Sequence, residues 1–204
     1  MKDFNQQVAE GYDDDIRSKI VGYEALQELV ASIAVQELPE SARILVIGCG
    51  TGAEIQRLET AGSDFAVTGL DPSAEMLAIA RSRVQSELHC ASLADFQSDE
   101  PFDCAVCVLV THFVSGAEAK RAFFERIAAH LKPGGLLIAA DYLDAGMDRF
   151  QSAAFQQKLG RAFFPVTEAE LRQLMGAAGF EAPEFFFNSI GFMGYLSARG
   201  RTIG

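Results

Sequence analysis

Residues 44–71 read ILVIGCGTGAEIQRLETAGSDFAVTGLD. The order is a short apolar run, a glycine-rich loop, a helical stretch, a second apolar run and a closing acid. Gly48, Gly50 and Gly52 follow the first run directly. Glycines there allow a tight turn and a close approach of backbone to a ligand, and the helix start behind them offers free N–H groups. Asp71 stands nineteen residues beyond Gly52, at the end of the second run, where a carboxylate can accept hydrogen bonds from both hydroxyls of a ribose. The stretch predicts a site for an adenosine-containing ligand. Gly48, Gly50 and Ala53 also satisfy the looser dinucleotide spacing G-x-G-x-x-A, so these residues alone leave a nicotinamide cofactor open.

Outward from this stretch, apolar runs and helical patterns continue to alternate, which predicts a parallel sheet covered on both faces. PSAEMLAIARSRV carries Met76, Leu77, Ala80 and Val84 at helical spacing. ELHCASL predicts a short third strand, and FDCAVCVLV, 102–110, a central strand buried on both sides. The helix AEAKRAFFERIAAHL is expected to stop at LKPGG, where Pro133 and two glycines follow. LLIAADYL predicts a fifth strand, and residues 144–165 an inserted cap. VTEAELRQLMGAAGF opens with a capping box, Thr167 with Glu170, and stops at Gly179. EAPEFFFNSIGFMGYLSAR supplies two last strands joined near Asn188–Gly191.

Before the first strand, IRSKIVGYEALQELVASIAV places Ile16, Ile20, Leu26, Leu29, Val30 and Ile33 at the spacing of amphipathic helices broken at Gly22. These helices either pack on the sheet or form a lid over the strand ends, where open α/β sheets bind ligands. The expected fold is α/β: a Rossmann-like, doubly wound, seven-stranded and mostly parallel sheet, with an antiparallel C-terminal strand pair, helices on both faces and an N-terminal helical lid. One domain is expected over 1–204, divided into a lid (1–38), a cofactor-binding core (44–143), the cap (144–165) and a C-terminal helix with its strand pair (166–204).

The chain carries 28 acids against 17 bases, a formal charge of −11. Nucleic-acid binding rests on Lys and Arg neutralising phosphates, so a nucleic-acid partner is disfavoured. No run approaches the roughly 18 apolar residues of a membrane helix, and the acidic first twenty residues lack the apolar core of a signal peptide. The expectation is a cytoplasmic protein without membrane contact. Of the four cysteines, Cys104 and Cys107 form a C-x-x-C inside a strand, where residues three apart point to opposite faces. That suits neither a metal nor a redox pair, so Cys49, Cys90, Cys104 and Cys107 are expected to be buried or half-buried packing residues, with no metal site.

ILVIGCGTG, GLDPSAEML, FDCAVCVLVTHF and LKPGGLLI together resemble class I S-adenosylmethionine-dependent methyltransferases, over roughly 44–143. LKPGG before the fifth strand and the closing strand pair are not features of dinucleotide dehydrogenases. The resemblance implies S-adenosylmethionine as cofactor and S-adenosylhomocysteine as product. It implies that Gly48, Gly50 and Gly52 lie against the methionine and ribose, that Asp71 holds the ribose and that Pro72 and Met76 flank the adenine. Ser92 and Leu93 would face the adenine edge, and Val108 would offer its carbonyl to the cofactor's ammonium. His112 and Phe113 match a segment bordering the substrate pocket. Two departures stand out: Val46 where the family usually carries an acid, and Ser92 in place of a third-strand acid; Glu54 is a candidate to compensate. The N-terminus is similar to the opening of carboxy-S-adenosylmethionine synthases, whose Gly-Tyr pair, here Gly22–Tyr23, lends a tyrosine to the cofactor. The arginine those enzymes use for the extra carboxylate falls near Gln156, with Arg149 and Arg161 as imperfect substitutes.

Methyl transfer from a sulfonium needs mainly proximity and alignment, and a base only where the acceptor must lose a proton. His112 is the candidate base, its alternative a purely structural packing role; His89 and His130 are expected to be structural, the latter as a cation suited to a helix C-terminus. Tyr12, Tyr23 and Tyr142 are candidates to point into the site. Phe163 and Phe164, in the cap, are candidate pocket residues, whereas Phe123–Phe124 and Phe185–Phe187 are expected in the core. The favoured reading is methyl transfer to a small-molecule acceptor. A carboxy-S-adenosylmethionine synthase-like enzyme and a non-catalytic cofactor-binding module remain as alternatives, and a homodimer is left open.

Overall fold

The computed structural model describes residues 9–62, 64–144 and 163–200. Helices α1 (Tyr12–Lys19) and α2 (Tyr23–Glu37) precede β1 (Arg43–Ile47). Then follow α3 (Ala53–Thr60), β2 (Ala66–Asp71), α4 (Ala74–Ala80), β3 (Glu87–Cys90), β4 (Phe102–Val108), a single 3-10 turn (Thr111–Phe113) and α5 (Ala117–His130). The chain closes with β5 (Leu131–Tyr142), α6 (Glu168–Ala177), β6 (Glu184–Ser189) and β7 (Phe192–Ala198). The strands form one seven-stranded sheet in the order β3-β2-β1-β4-β5-β7-β6. Pairing is parallel from β3 to β5 and antiparallel for β5 with β7 and β7 with β6.

The pleat sorts the apolar side chains into two cores. Ile44 and Val46 of β1, with Cys104, Val106 and Val108 of β4, face Leu26, Val30, Ile55, Leu58 and Leu77 of α2, α3 and α4. Leu45 and Ile47, with Ala105 and Cys107, face Phe124 and Ile127 of α5 and Leu171 and Met175 of α6. Cys104 and Cys107 therefore stand on opposite faces, and burial pushes the Cys104 thiol up to about 12.

Several expectations are corrected. Helix α5 ends at His130, and LKPGG begins β5 instead of forming a loop before it; a register irregularity between Phe102 and Cys104 accommodates the extra residues. Helix α4 stops at Ala80, yet Val84 is still buried, from the turn that follows. Leu29 is exposed although its spacing fits the apolar face of α2. Cys90, at the C-terminal end of an edge strand, is exposed as well. His130 has its pKa lowered by burial and then by Arg126, so it is disfavoured as a cation. Phe124 is buried and Phe123 packs beside it, while Phe185, Phe186 and Phe187 are half-buried against the two cores. The capping box of Thr167 and Glu170 is present. Most of the expected cap, including Arg149, Gln156 and Arg161, lies outside the described residues. No helix among the described residues is long and apolar enough to cross a membrane, and none of their His, Cys, Asp and Glu side chains cluster as metal ligands would.

Candidate functional site

The sheet order reverses at β1, whose neighbours β2 and β4 lead to opposite sides; open α/β sheets bind ligands at such a switch point, beyond the carboxyl ends of the strands. The glycine loop lies there. Gly48, Gly50 and Gly52 all have positive φ, at 66°, 51° and 89°, a region that strongly favours glycine. Their surroundings differ. A Cβ on Gly48 would meet Val110 at 2.5 Å, and one on Gly52 would press on Ala80 and Val84 at 3.3 Å. One on Gly50 would meet nothing nearer than the Gly48 carbonyl at 4.0 Å. Gly48 and Gly52 thus allow the loop to pack, and Gly50 borders open space.

Asp71 is buried at the end of β2 and ties the two loops together: its Oδ2 accepts from Gly50 N at 2.9 Å and its Oδ1 from Ser73 N at 2.8 Å. Burial raises its pKa against the lowering effect of these two bonds. Each oxygen keeps a further lone pair for a ligand hydroxyl. On the β3 side, Met76 and Leu93 are buried, Pro72 is exposed, and Ser92 donates to Asp95 at 2.5 Å. Val46 is buried in the helix-covered core, so no carboxylate stands at its place.

The N-terminal helices reach the loop. Asp13 of α1 accepts from Thr51 Oγ1 at 2.6 Å and from Arg83 Nη1 at 2.5 Å, bonding the lid to the glycine loop and to the turn after α4. Gly22, at φ 82°, breaks the two lid helices. Tyr23 is buried, and both Tyr12 and Tyr23 have phenol pKa values raised, first by burial and next by the charge of Glu54; Asp71 adds to the effect on Tyr12. Glu54, in the first turn of α3, is itself buried and accepts from Gln27 Nε2 of α2 at 2.6 Å. Burial raises its pKa although that bond opposes the rise.

Across the switch point, β4 ends at Val108 and the chain turns through Leu109, whose φ of 61° is rare for a side chain with a Cβ. Leu109 N bonds Ala140 O at 2.7 Å. His112 is buried in the turn that follows. Its Nδ1 bonds Asp141 Oδ1, and Asp141 Oδ2 accepts from the Thr111 hydroxyl and from His112 N at 3.1 Å. Tyr142 N adds a fourth donor at 2.7 Å. Burial alone would raise the Asp141 pKa, but His112 and these hydrogen bonds hold it below the usual value. Lys120, a buried lysine of α5, donates to Thr111 O at 2.5 Å and braces the turn from outside. Phe113 and Phe163 pack on the His112 ring, at centroid distances of 4.1 and 4.5 Å. Phe164 N bonds His112 O at 2.6 Å, and Phe164 lines a neighbouring cleft of about 490 Å³ with Lys120, Arg121, Val166 and Glu170. His89, by contrast, stays at the edge strand, paired with Glu87. Tyr142 packs against Phe192.

Asp141, Gln27, Asp13 and Lys120 were not singled out from sequence. Only Asp141 carries a visible signal, as the single charge in the apolar run LLIAADYL.

A methyltransferase domain family matches residues 44–135. A carboxy-S-adenosyl-L-methionine synthase from Campylobacter hominis is 27% identical over 97% of this chain and 94% of its own. A dTDP-3-amino-3,6-dideoxy-alpha-D-glucopyranose N,N-dimethyltransferase from Streptomyces fradiae is 34% identical over 67% of this chain and 53% of its own, so the chain spans about half of that relative. Among solved structures, DesVI from Streptomyces venezuelae superposes with a TM-score of 0.73 at 19% identity, covering 93% of this chain and 97% of that one. An S-adenosylmethionine-bound amino pentose methyltransferase from Micromonospora echinaspora gives 0.71 at 20% identity, covering 98% and 99%. With a glycine loop and Asp71 at the switch point of this sheet order, residues 44–135 carry a methyltransferase domain, and the chain has the Rossmann-like fold of S-adenosylmethionine-dependent methyltransferases.

Proposed function

We propose that the chain catalyses methyl transfer from S-adenosylmethionine to an amine or hydroxyl of a small-molecule acceptor, with His112 as base. The observation that carries the base is the bond between His112 Nδ1 and the buried Asp141 carboxylate. A carboxylate on Nδ1 keeps the proton there and leaves Nε2 to accept one, the arrangement that orients a catalytic imidazole. A base is of use only to an acceptor that sheds a proton, which selects amines and hydroxyls. The amino-sugar enzymes among the relatives favour an amine.

When bound, the cofactor supplies an already activated methyl group; the chain aligns and encloses. Asp71 would take the ribose hydroxyls on its free lone pairs. The open face of Gly50 would admit the cofactor backbone, with Gly48 and Gly52 shaping the loop. Pro72, Met76, Ser92 and Leu93 would border the adenine, and the Val108 carbonyl and Tyr23 of the lid the methionine side. The cleft lined by Phe164 and Lys120 is the acceptor entrance in this reading. Residues 1–204 act as one domain, 1–38 as its lid.

The test is calorimetry followed by turnover. Asp71→Ala should weaken S-adenosylmethionine binding tenfold or more, and nicotinamide cofactors should not bind. Mass spectrometry of reactions with amine acceptors should find methylated product in step with S-adenosylhomocysteine. His112→Gln should lower kcat by about 10²–10⁴-fold and remove the limb of the pH profile in which rate rises with pH, leaving KM for the cofactor unchanged. An unchanged pH profile would make His112 a packing residue. The carboxy-S-adenosylmethionine synthase-like reading is favoured by relatives that match nearly the whole chain and by the buried Tyr23 after Gly22; a carboxylated cofactor among the products, without methylated acceptor, would establish it. Cofactor binding with no turnover of any kind would favour a binding module.

A further inference from the structure

Glu54 and Gln27 form a buried polar pair that packing does not explain. Gln27 is 1% exposed and Glu54 8%. The amide nitrogen of Gln27 donates to Glu54 at 2.6 Å, and the amide oxygen on the same group is buried without a hydrogen-bond partner. A buried acceptor left unpaired costs about 1–3 kcal/mol, and a carboxylate bonded by a neutral amide side chain is a poor guest in a core. Arg57 acts on Glu54 through its charge but bonds the exposed Glu24 of the lid. Among the described residues, no positively charged donor bonds either acceptor.

Their place says which donor. Glu54 opens the helix behind the glycine loop, two residues past Gly52. Its charge is felt by Cys49 within that loop and by Tyr12 and Tyr23 of the lid, and Asp71 acts on Cys49 and Tyr12 too. The pair lies between the helix that follows the glycine loop and the N-terminal helices, which Asp13 bonds to Thr51 of that loop. With the ribose on Asp71, the amino-acid arm of a bound cofactor would reach past the open face of Gly50, and its ammonium is a group with three donors and no acceptor. We propose that Glu54 and Gln27 seat the α-ammonium of S-adenosylmethionine, one acceptor coming from the helix behind the loop and the other from the lid. This rests on the cofactor assignment above and adds a residue pair that takes over where Val46 offers no charge. Because Gln27 belongs to α2, closing the lid and recognising the amino acid become one event.

The probes are S-adenosylhomocysteine and 5′-methylthioadenosine, which share the nucleoside thioether but differ in the amino-acid arm. Calorimetry on the purified full chain should give Glu54→Gln at least a tenfold loss for S-adenosylhomocysteine and an unchanged affinity for 5′-methylthioadenosine. Gln27→Met, close in volume and without polar atoms, should show a smaller loss confined to the same probe. Thermal melting of each ligand-free variant confirms folding. Equal losses for both probes, or an unchanged S-adenosylhomocysteine affinity in Glu54→Gln, would overturn the assignment while leaving the cofactor site intact. Failure of the unmutated chain to bind either probe would overturn the cofactor reading with it.

Discussion

Replacing Glu54 by glutamine keeps an oxygen for Gln27 Nε2 and removes a charge that burial disfavours. The folded-state pKa of Glu54 lies above its ordinary 4.5, so the folded chain holds this proton more tightly than the unfolded one. Its contribution to stability is therefore complete below pH 4.5 and is lost as pH rises through the folded value. Glu54→Gln should melt about 2 °C or more above the unmutated, ligand-free protein at pH 7, roughly what 1 kcal/mol yields at this chain length. The gap should close toward pH 4. A gap that persists there would mean the gain comes from packing and not from the charge. Asp141 is the opposite case: equally buried, but with four donors around it and its pKa lowered. Burial is common to both carboxylates; His112 beside Asp141, with the hydrogen bonds around it, decides the sign.

Among the elements, the β6–β7 hairpin carries an evident local conflict. Its two-residue loop is Ile190–Gly191, with φ of 49° and 90°. Two positive φ values are the signature of a type I′ turn, which favours asparagine or aspartate followed by glycine. Gly191 is required twice over, since a Cβ there would meet Tyr142 at 2.7 Å. Ile190 is a β-branched residue where the left-handed region costs about 1–2 kcal/mol. Ile190→Asn should therefore raise stability by about 1 kcal/mol in urea unfolding, with cofactor affinity unchanged; a loss of stability would show that the isoleucine side chain contributes more by packing than the turn costs. Leu109 has a comparable φ, 61°, but it lies at the end of β4 beside the His112 turn, where strained backbone is often kept for function.

For the whole molecule, side-chain bonds join the N-terminal helices to the glycine loop, to α3 and to the turn after α4. Asp13 holds both Thr51 and Arg83, Glu24 holds Arg57, and Gln27 holds Glu54. These bonds hold the N-terminal helices against the glycine loop and the helix behind it. Asp13→Ala removes two of these bonds without touching Asp71 or Glu54. Stopped-flow measurement should find S-adenosylhomocysteine association faster by about threefold or more, the equivalent of one net hydrogen bond broken on opening, with dissociation accelerated as well. Unchanged rates would mean that ligands enter without breaking the Asp13 contacts.

The sequence by itself determined the strands, the glycine loop, Asp71 and the break at Gly22, because each depends on residues close along the chain: apolar period, a turn needing positive φ, a cap three residues away. The same locality marked His112, placed just past a recognisable strand. It misjudged LKPGG, since continuing β5 through those residues depends on pairing with β4, and Cys90, since exposure there depends on β3 being an edge. Only the tertiary structure decided the chemical settings of the site. Asp141 meets His112 across 29 residues and Gln27 meets Glu54 across 27. Such pairs exist because β4 and β5 lie side by side and the lid folds back on α3, and hydrogen bonding acts over distances that only packing can bring about. Local pattern placed the groups in the chain; the fold set their partners, and the partners set their charge.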